Sequence, residues 1–307
     1  MICIRYGNCE LPIRTSSIAI PIARLYLKSQ TFDCRLHKLD IFLMSLELST
    51  VHELSWSQMY NRVNSDPMLL DFRSAAEFSA GHFANCERID LDLSDQELNA
   101  VVKDQIESMK DSNNHCILIL SSSDWDAHKN RILAALSMSE RFRNYHRCHC
   151  IHDTFMFAPF LASEEMAVGV PSLIECLLPA RVFLSGIFHA SKFMADQLHF
   201  GRVINVTPDV PRLVDITTSF PIVDSPNVDI NPVLEKTRSI IAACVRDNVP
   251  VLVHCHAGVS RSASAVIDYV ASSLQISAHE AMARVKQSRK IVEPNPGFLA
   301  QLEKLHP

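Results

Sequence analysis

Short, nearly continuous apolar runs alternate along this chain with longer stretches whose apolar residues recur every three or four positions. The runs "MLLDF" (68–72), "CILIL" (116–120), "VFLSG" (182–186), "GRVINVT" (201–207), "SFPIVDS" (219–225) and "VPVLVHC" (249–255) read as strands, most of them buried on both faces as in a parallel sheet. The helical stretches are "STVHELSWSQMYNR" (49–62), "AAEFSAG" (75–81), "AVVKDQIESMKD" (100–111), "AHKNRILAALSMSERF" (127–142), "NPVLEKTRSIIAACVRDN" (231–248), "SASAVIDYVASSL" (262–274), "AHEAMARVKQSR" (278–289) and "PGFLAQLEKL" (296–305). Ser74 is placed to cap the second and Gly81 to end it. Ser277 and Glu280 have the spacing of a capping box. Ala263, Val266, Ile267 and Val270 form an inward face in one helix, and Val233, Ile240, Ile241 and Cys244 in another. Strands alternating with helices predict two open α/β domains, at 48–165 and 172–307, joined by a linker at 166–171 within the proline-containing stretch 159–181.

Composition changes this picture little. Over 307 residues the chain is 48% hydrophobic, enough for buried cores, and its formal charge of −5 gives no pull towards nucleic acid or an anionic membrane. No apolar run approaches the ~20 residues of a membrane span. The ten cysteines are scattered, which suits a reducing, cytoplasmic setting, with mitochondrial or nuclear residence as alternatives. Residues 1–47 form an N-terminal extension, disordered or targeting, with Arg5, Arg14, Arg24 and Lys28 set against Glu10 in its first 32 positions.

The chemistry concentrates in "HCHAGVSRS" (254–262). Between a buried strand ending at His254 and a helix beginning near Arg261, the loop residues are mostly small. Such a loop can curl and aim the N–H groups of His256, Ala257, Gly258, Val259 and Ser260 at one point, where a helix N-terminus adds its own field. A ring of that kind holds phosphate, and the same field stabilises a thiolate at Cys255, the form in which cysteine attacks phosphorus. Arg261 offers a planar fork for two phosphate oxygens. Ser262 can donate a hydrogen bond to the sulfur when it leaves, and His254 can anchor the loop from behind. The scheme needs neither metal nor cofactor.

This string resembles the signature of the protein tyrosine phosphatase superfamily, and "AGVSRSA" its dual-specificity branch. "VINVT", "FPIVDS" and "PNPGFLAQL" resemble further segments of that branch, over roughly residues 175–307. The resemblance implies a phosphoprotein phosphatase acting on phosphotyrosine and phosphoserine or phosphothreonine through a phosphocysteine intermediate. It implies Asp224 as general acid, with Asp229 as competitor, and Asn295 as a supporting residue. A phosphoprotein-binding scaffold with weak turnover and a lipid or RNA phosphatase are the alternatives.

"LLDFRSAAEFSAGH" (69–82), through Asp71, Arg73, Glu77, Gly81 and His82, resembles a rhodanese-like domain. The loop that carries the reactive cysteine in active rhodaneses reads "SSSDWDAH" (121–128) here, so no sulfurtransferase activity is expected. This two-domain layout resembles that of MAP kinase phosphatases and of serine/threonine/tyrosine-interacting-like proteins, and implies a kinase partner through the first domain. Against that partner, the segment where a basic docking cluster is expected is acidic, "CERIDLDLSDQE" (86–97), and the basic "RFRNYHR" (141–147) lies elsewhere. Cys148, Cys150 and His152 alternate in "HRCHCIHD", so a strand would put all three on one face, but the spacing of a zinc finger is missing.

Overall fold

The computed structural model describes residues 2–6, 9–13, 51–63, 67–83, 86–108, 115–137, 144–149, 151–158, 161 and 169–307. Near the N-terminus β1 (Ile2–Tyr6) and β2 (Cys9–Ile13) pair as an antiparallel hairpin. The rest of the proposed extension, and residues 166–168 of the proposed linker, lie outside the described residues.

The first unit is a parallel sheet in the order β3 (Val51–Glu53), β7 (Asn144–Cys148), β6 (His115–Ile119), β4 (Met68–Asp71) and β5 (Glu87–Arg88). Its helices are α1 (Trp56–Arg62), α2 (Ala75–Ala80), α3 (Asp95–Ser108), α4 (Ser122–Ser137) and α5 (Ile151–Phe157). Both faces of β4 and β6 are covered, with Met68, Leu70, Cys116 and Leu118 packed on one side and Leu69, Ile117 and Ile119 on the other. Burial pushes the Cys116 thiol far above its ordinary value, as expected of a packed core cysteine. Asp71 and Arg73 form a buried ion pair at 2.6 Å, and Arg73 also donates to the carbonyls of Glu77 and Gly81, which ties the end of β4 to α2.

Three expectations for this unit are corrected. The stretch 49–62 is not one helix: Val51–Glu53 pairs with β7, and α1 begins only after Ser55, which forms a capping box with Gln58. The stretch 121–128 is not a loop, because α4 starts at Ser122. Cys148 and His152 do not share a strand face: β7 ends at Cys148 and α5 begins at Ile151, with Cys150 outside the described residues. Among the described residues no cluster of histidine, cysteine and carboxylate side chains is suited to a metal ion.

The second unit orders its strands β11 (Thr217–Ser219), β10 (Arg202–Asn205), β12 (Val251–His254), β9 (Val182–Ser185) and β8 (Ser172–Leu173), all parallel except β8. Its α-helices are α6 (Lys192–Gln197), α7 (Asn231–Arg246), α8 (Arg261–Leu274), α9 (Ala278–Ser288) and α10 (Pro296–Leu305). Helix α8 is the hub: Ala263, Val266, Ile267 and Val270 are buried with residues of α7, α9, α10 and the sheet. Val266, Ile267 and Val270 contribute roughly 1.5–3 kcal/mol each through this burial. In α7 the fully buried face is Leu234, Thr237, Ile241 and Cys244, while Val233 and Ile240 sit at its margin.

"SFPIVDS" is strand only at its first residue. The last bond to the sheet is Phe220 N–H to the Asn205 carbonyl, and Pro221, lacking an N–H, cannot continue the ladder. Ser277 accepts the Glu280 N–H, but the Glu280 carboxylate goes to Arg284, so the capping box is half formed.

One apolar core runs through both units. Leu54, Tyr60, Leu69, Ile117 and Ile119 of the first cluster with Leu173, Phe183, Met194 and Leu252 of the second. The rings of Tyr60 and Phe183 meet edge-on with centroids 6.4 Å apart, and the buried Tyr60 hydroxyl donates to the Pro171 carbonyl at 3.0 Å.

Candidate active site at the loop between β12 and α8

The loop leaves β12 at His254, the middle strand of the second sheet, and enters α8 at Arg261. His254 is fully buried between β9 and β10, and burial holds its imidazole below the ordinary value, so it is a neutral packing group behind the loop.

The aim of the loop follows from where its carbonyls go. The His256 carbonyl accepts the Ile187 N–H, those of Ala257 and Gly258 accept Arg289 Nη2 and Nε, and that of Val259 accepts the Glu293 N–H, all at 2.9 Å. These consecutive carbonyls are therefore held outward. In planar trans peptides the following N–H groups, those of Ala257, Gly258, Val259 and Ser260, point the opposite way, into the curl. The Gly258 N–H confirms the direction by donating to Cys255 Sγ at 3.2 Å, and the Ser262 hydroxyl donates to the same sulfur at 3.1 Å. Cys255 is 2% exposed, at the bottom of this ring.

Glycine is required at 258. Its φ is +70°, and a Cβ there would lie 2.4–2.7 Å from backbone atoms of Ser185 and Gly186. Gly186 has the reciprocal constraint, since a Cβ on it would stand 2.6 Å from the His256 oxygen.

Helix α8 begins without a side-chain cap: the hydroxyl of Ser260 donates instead to Asp224 Oδ1 at 2.7 Å. Asn295 donates its Nδ2 to the same oxygen at 2.8 Å, and its backbone N–H to Ser260 Oγ. Arg261 Nε lies 3.3 Å from Asp224 Oδ2, close enough for charge attraction but not aligned for a hydrogen bond, so this buried N–H is an open donor inside the site. Arg261 Nη1 is steadied by the Ile222 carbonyl at 3.3 Å. The segment carrying Asp224 is itself pinned from α10. Gln301 bonds the Val228 carbonyl and the Ile230 N–H, and Gly297 packs so closely on Pro226 that a Cβ would meet its oxygen at 1.9 Å.

Cys255, Arg261, Ser262, Ser260, Asn295 and Asp224 are thus brought together. Asp229 is not: its carboxylate accepts the N–H and side-chain amide of Asn231 at the start of α7. His256 contributes backbone to the loop, while its ring turns to the rim and bonds the Asp209 carboxylate at 2.8 Å, which holds Asp209 below the ordinary carboxylate range. Sequence reasoning missed Arg289, Gly186, Ile187 and Asp209. Arg289 follows "VKQS" as any solvated helix-end cation would, and nothing in the sequence distinguishes it from Lys290 beside it.

The arrangement can do three things chemically. It can bind a tetrahedral dianion on inward amides, an uncapped helix N-terminus and a guanidinium. It holds a sulfur nucleophile under that anion with two donors to stabilise negative charge. It places a carboxyl group at the mouth, within reach of a leaving oxygen.

The second unit is similar in sequence to known proteins. Residues 182–306 match the family model "Dual specificity phosphatase, catalytic domain". The chain is 38% identical over 103 residues to "Putative tyrosine phosphatase 123R" of Invertebrate iridescent virus 6, covering 34% of this chain and 72% of that protein. It is 34% identical over 125 residues to dual specificity protein phosphatase 1-A of Xenopus laevis, covering 39% of this chain and 34% of that protein. The crystal structure of a human tyrosine phosphatase-like serine/threonine/tyrosine-interacting protein aligns with a TM-score of 0.39 and 26% identity, over 44% of this chain and 95% of that one.

Proposed function

Because this chain belongs to the dual-specificity phosphatase family, we propose that it is a phosphoprotein phosphatase working through a phosphocysteine intermediate. The observation that carries the reading is the ring of outward carbonyls and inward amides centred on Cys255 Sγ.

The bound phosphoryl group sits on the amides of Ala257 to Ser260 with two oxygens on Arg261. The Cys255 thiolate attacks phosphorus opposite the ester oxygen, and the phosphorus–oxygen bond breaks. Asp224 gives its proton to the departing alkoxide or phenolate. A water molecule then attacks the phosphocysteine and passes a proton to Asp224. The Ser262 hydroxyl, 3.1 Å from Sγ, stabilises the thiolate as it leaves, and inorganic phosphate departs. Asn295 and Ser260 support the scheme by aiming Asp224.

The reading extends to phosphotyrosine and to phosphoserine or phosphothreonine in proteins. It is favoured over phosphoinositide or RNA ends because the loop carries no lysine, and its one extra basic side chain, His256, is engaged by Asp209. The first unit, which resembles a rhodanese-like domain, is proposed as a non-catalytic module. A kinase partner for it would have to be recognised by a surface other than the acidic 86–97 strip.

The test is hydrolysis of p-nitrophenyl phosphate by the full chain. Vanadate-sensitive turnover that disappears in Cys255→Ser is expected. Absence of turnover in the wild type would overturn the proposal.

A further inference from the structure

Two hydrogen-bonded paths run from one residue of the first unit to the back of the phosphate loop. Asn61, near the end of α1, is buried, and its side chain meets the free edge of β8 as a neighbouring strand would. Oδ1 accepts the Leu173 N–H at 2.9 Å, and Nδ2 donates to the Leu173 carbonyl at 2.8 Å. Nδ2 also donates to Glu175 Oε1 at 2.8 Å. Strand β8 has β9 on its other side, so without Asn61 its outer edge would carry unpaired backbone groups inside the protein.

From β8 both paths converge on the dipeptide Ser288–Arg289. The Glu175 N–H donates to Ser288 Oγ at 3.1 Å, and Arg289 Nη1 lies 3.4 Å from the hydroxyl of Ser172, the residue next to Leu173. Arg289 is the side chain whose other two nitrogens hold the Ala257 and Gly258 carbonyls outward. If the guanidinium shifts, those carbonyls are free to turn, and the amides of Gly258 and Val259 lose their inward aim.

We propose that Asn61 is a positioning residue for the phosphatase reaction: by closing the edge of β8 it fixes Ser172 and Glu175, and through them the Arg289 clamp on the phosphate loop. The inference rests on reading residues 255–261 as the phosphate cradle. It makes the first unit part of the structure that sets loop geometry, not an appended tether.

The experiment uses the full chain and three variants. Asn61→Ala is expected to lower kcat on p-nitrophenyl phosphate about three- to tenfold and to weaken vanadate inhibition by a similar factor. It should also move the midpoint of the pH profile for Cys255 alkylation by iodoacetate upward, read at that peptide by mass spectrometry. Leu98→Ala is the control. It truncates a fully buried side chain of α3 in a core cluster that contains no residue of either path, so it should lower the unfolding midpoint and leave the alkylation profile and vanadate inhibition where they were. Glu175→Ala cuts one path and should fall between the two, and it decides the matter if Asn61→Ala does not fold. Loss of stability in the Asn61 or Glu175 variant with no change in alkylation or vanadate inhibition would overturn the inference while leaving wild-type turnover, and so the phosphatase reading, intact. A wild type without turnover would remove the phosphatase reading, and the alkylation profile would still decide whether Asn61 shapes the loop.

Discussion

The chain makes the same junction twice, a central parallel strand running into a helix, and the two are finished in opposite ways. Between β6 and α4 lie only residues 120–121. Ser121 accepts the Asp124 N–H at 3.0 Å and gives its own proton to the Asp124 carboxylate, so the start of α4 is filled by its own side chains, one of them acidic. Between β12 and α8 lie residues 255–260, of which 256–259 have their carbonyls held outward, and the serine at the helix start turns its hydroxyl away to Asp224. The first junction satisfies its helix N-terminus internally. The second leaves it open, lines it with amides and sets a sulfur beneath it. Strand order and helix packing do not separate the two. Loop length and the destination of each carbonyl do.

The sharpest way to break this comparison is at the nucleophile. Cys255→Ser should reduce turnover by about 10³-fold or more, the scale seen when a covalent nucleophile is removed. Ser122→Cys, which places a thiol at the other junction, should create no activity, as measured with p-nitrophenyl phosphate. Next is the acid. Asp224→Asn should lower kcat on a phosphopeptide by about 10²–10³-fold, while Asp229→Asn, at a carboxylate engaged by Asn231, should leave it nearly unchanged. Equal losses in both would place the acid wrongly. Ser262→Ala removes one of the two donors to Sγ and should cost about tenfold in kcat, the scale of one hydrogen bond to a charged group, with phosphoenzyme accumulating in rapid-quench experiments.

Acid should weaken the fold through histidines beside the catalytic loop. Burial lowers His254, and burial with the nearby Arg289 charge lowers His189, so both stay neutral in the folded protein at pH values where the unfolded chain protonates them. Stability is therefore undiminished above about pH 6.5, the value of a free imidazole, and declines as pH falls through it towards the lowered folded values. Urea midpoints at about pH 7.5 and pH 5.5 check this. The smallest effect is at the first junction, where Ser121→Ala should cost about 1 kcal/mol by loss of the cap and leave turnover unchanged.

Much of this was legible in the chain, because the elements that matter announce themselves locally. The buried strands are continuous apolar runs, Ser74 and Ser277 mark helix starts, and the string at 254–262 packs nucleophile, glycine and guanidinium into one junction. What was not legible depends on contacts between distant positions. "SFPIVDS" has strand composition, but Pro221 cannot continue the ladder that Phe220 ends. Residues 49–55 look helical until Val51–Glu53 finds β7. Arg289, Gly186 and Asn61 owe their importance to carbonyls and backbone far away in sequence, and no periodicity encodes that. Alternating patterns suggest two domains, and Tyr60, Phe183 and their neighbours form one core that runs between the two large sheets.

The most direct test of the central claim is to trap the intermediate. The chain is mixed with a phosphotyrosine peptide, quenched in acid within the first turnover, digested, and searched for the phosphorylated residue. The account predicts a phosphoryl group on Cys255 and on no other side chain. Phosphate found on a different residue, or turnover that survives loss of the Cys255 thiol, would contradict it.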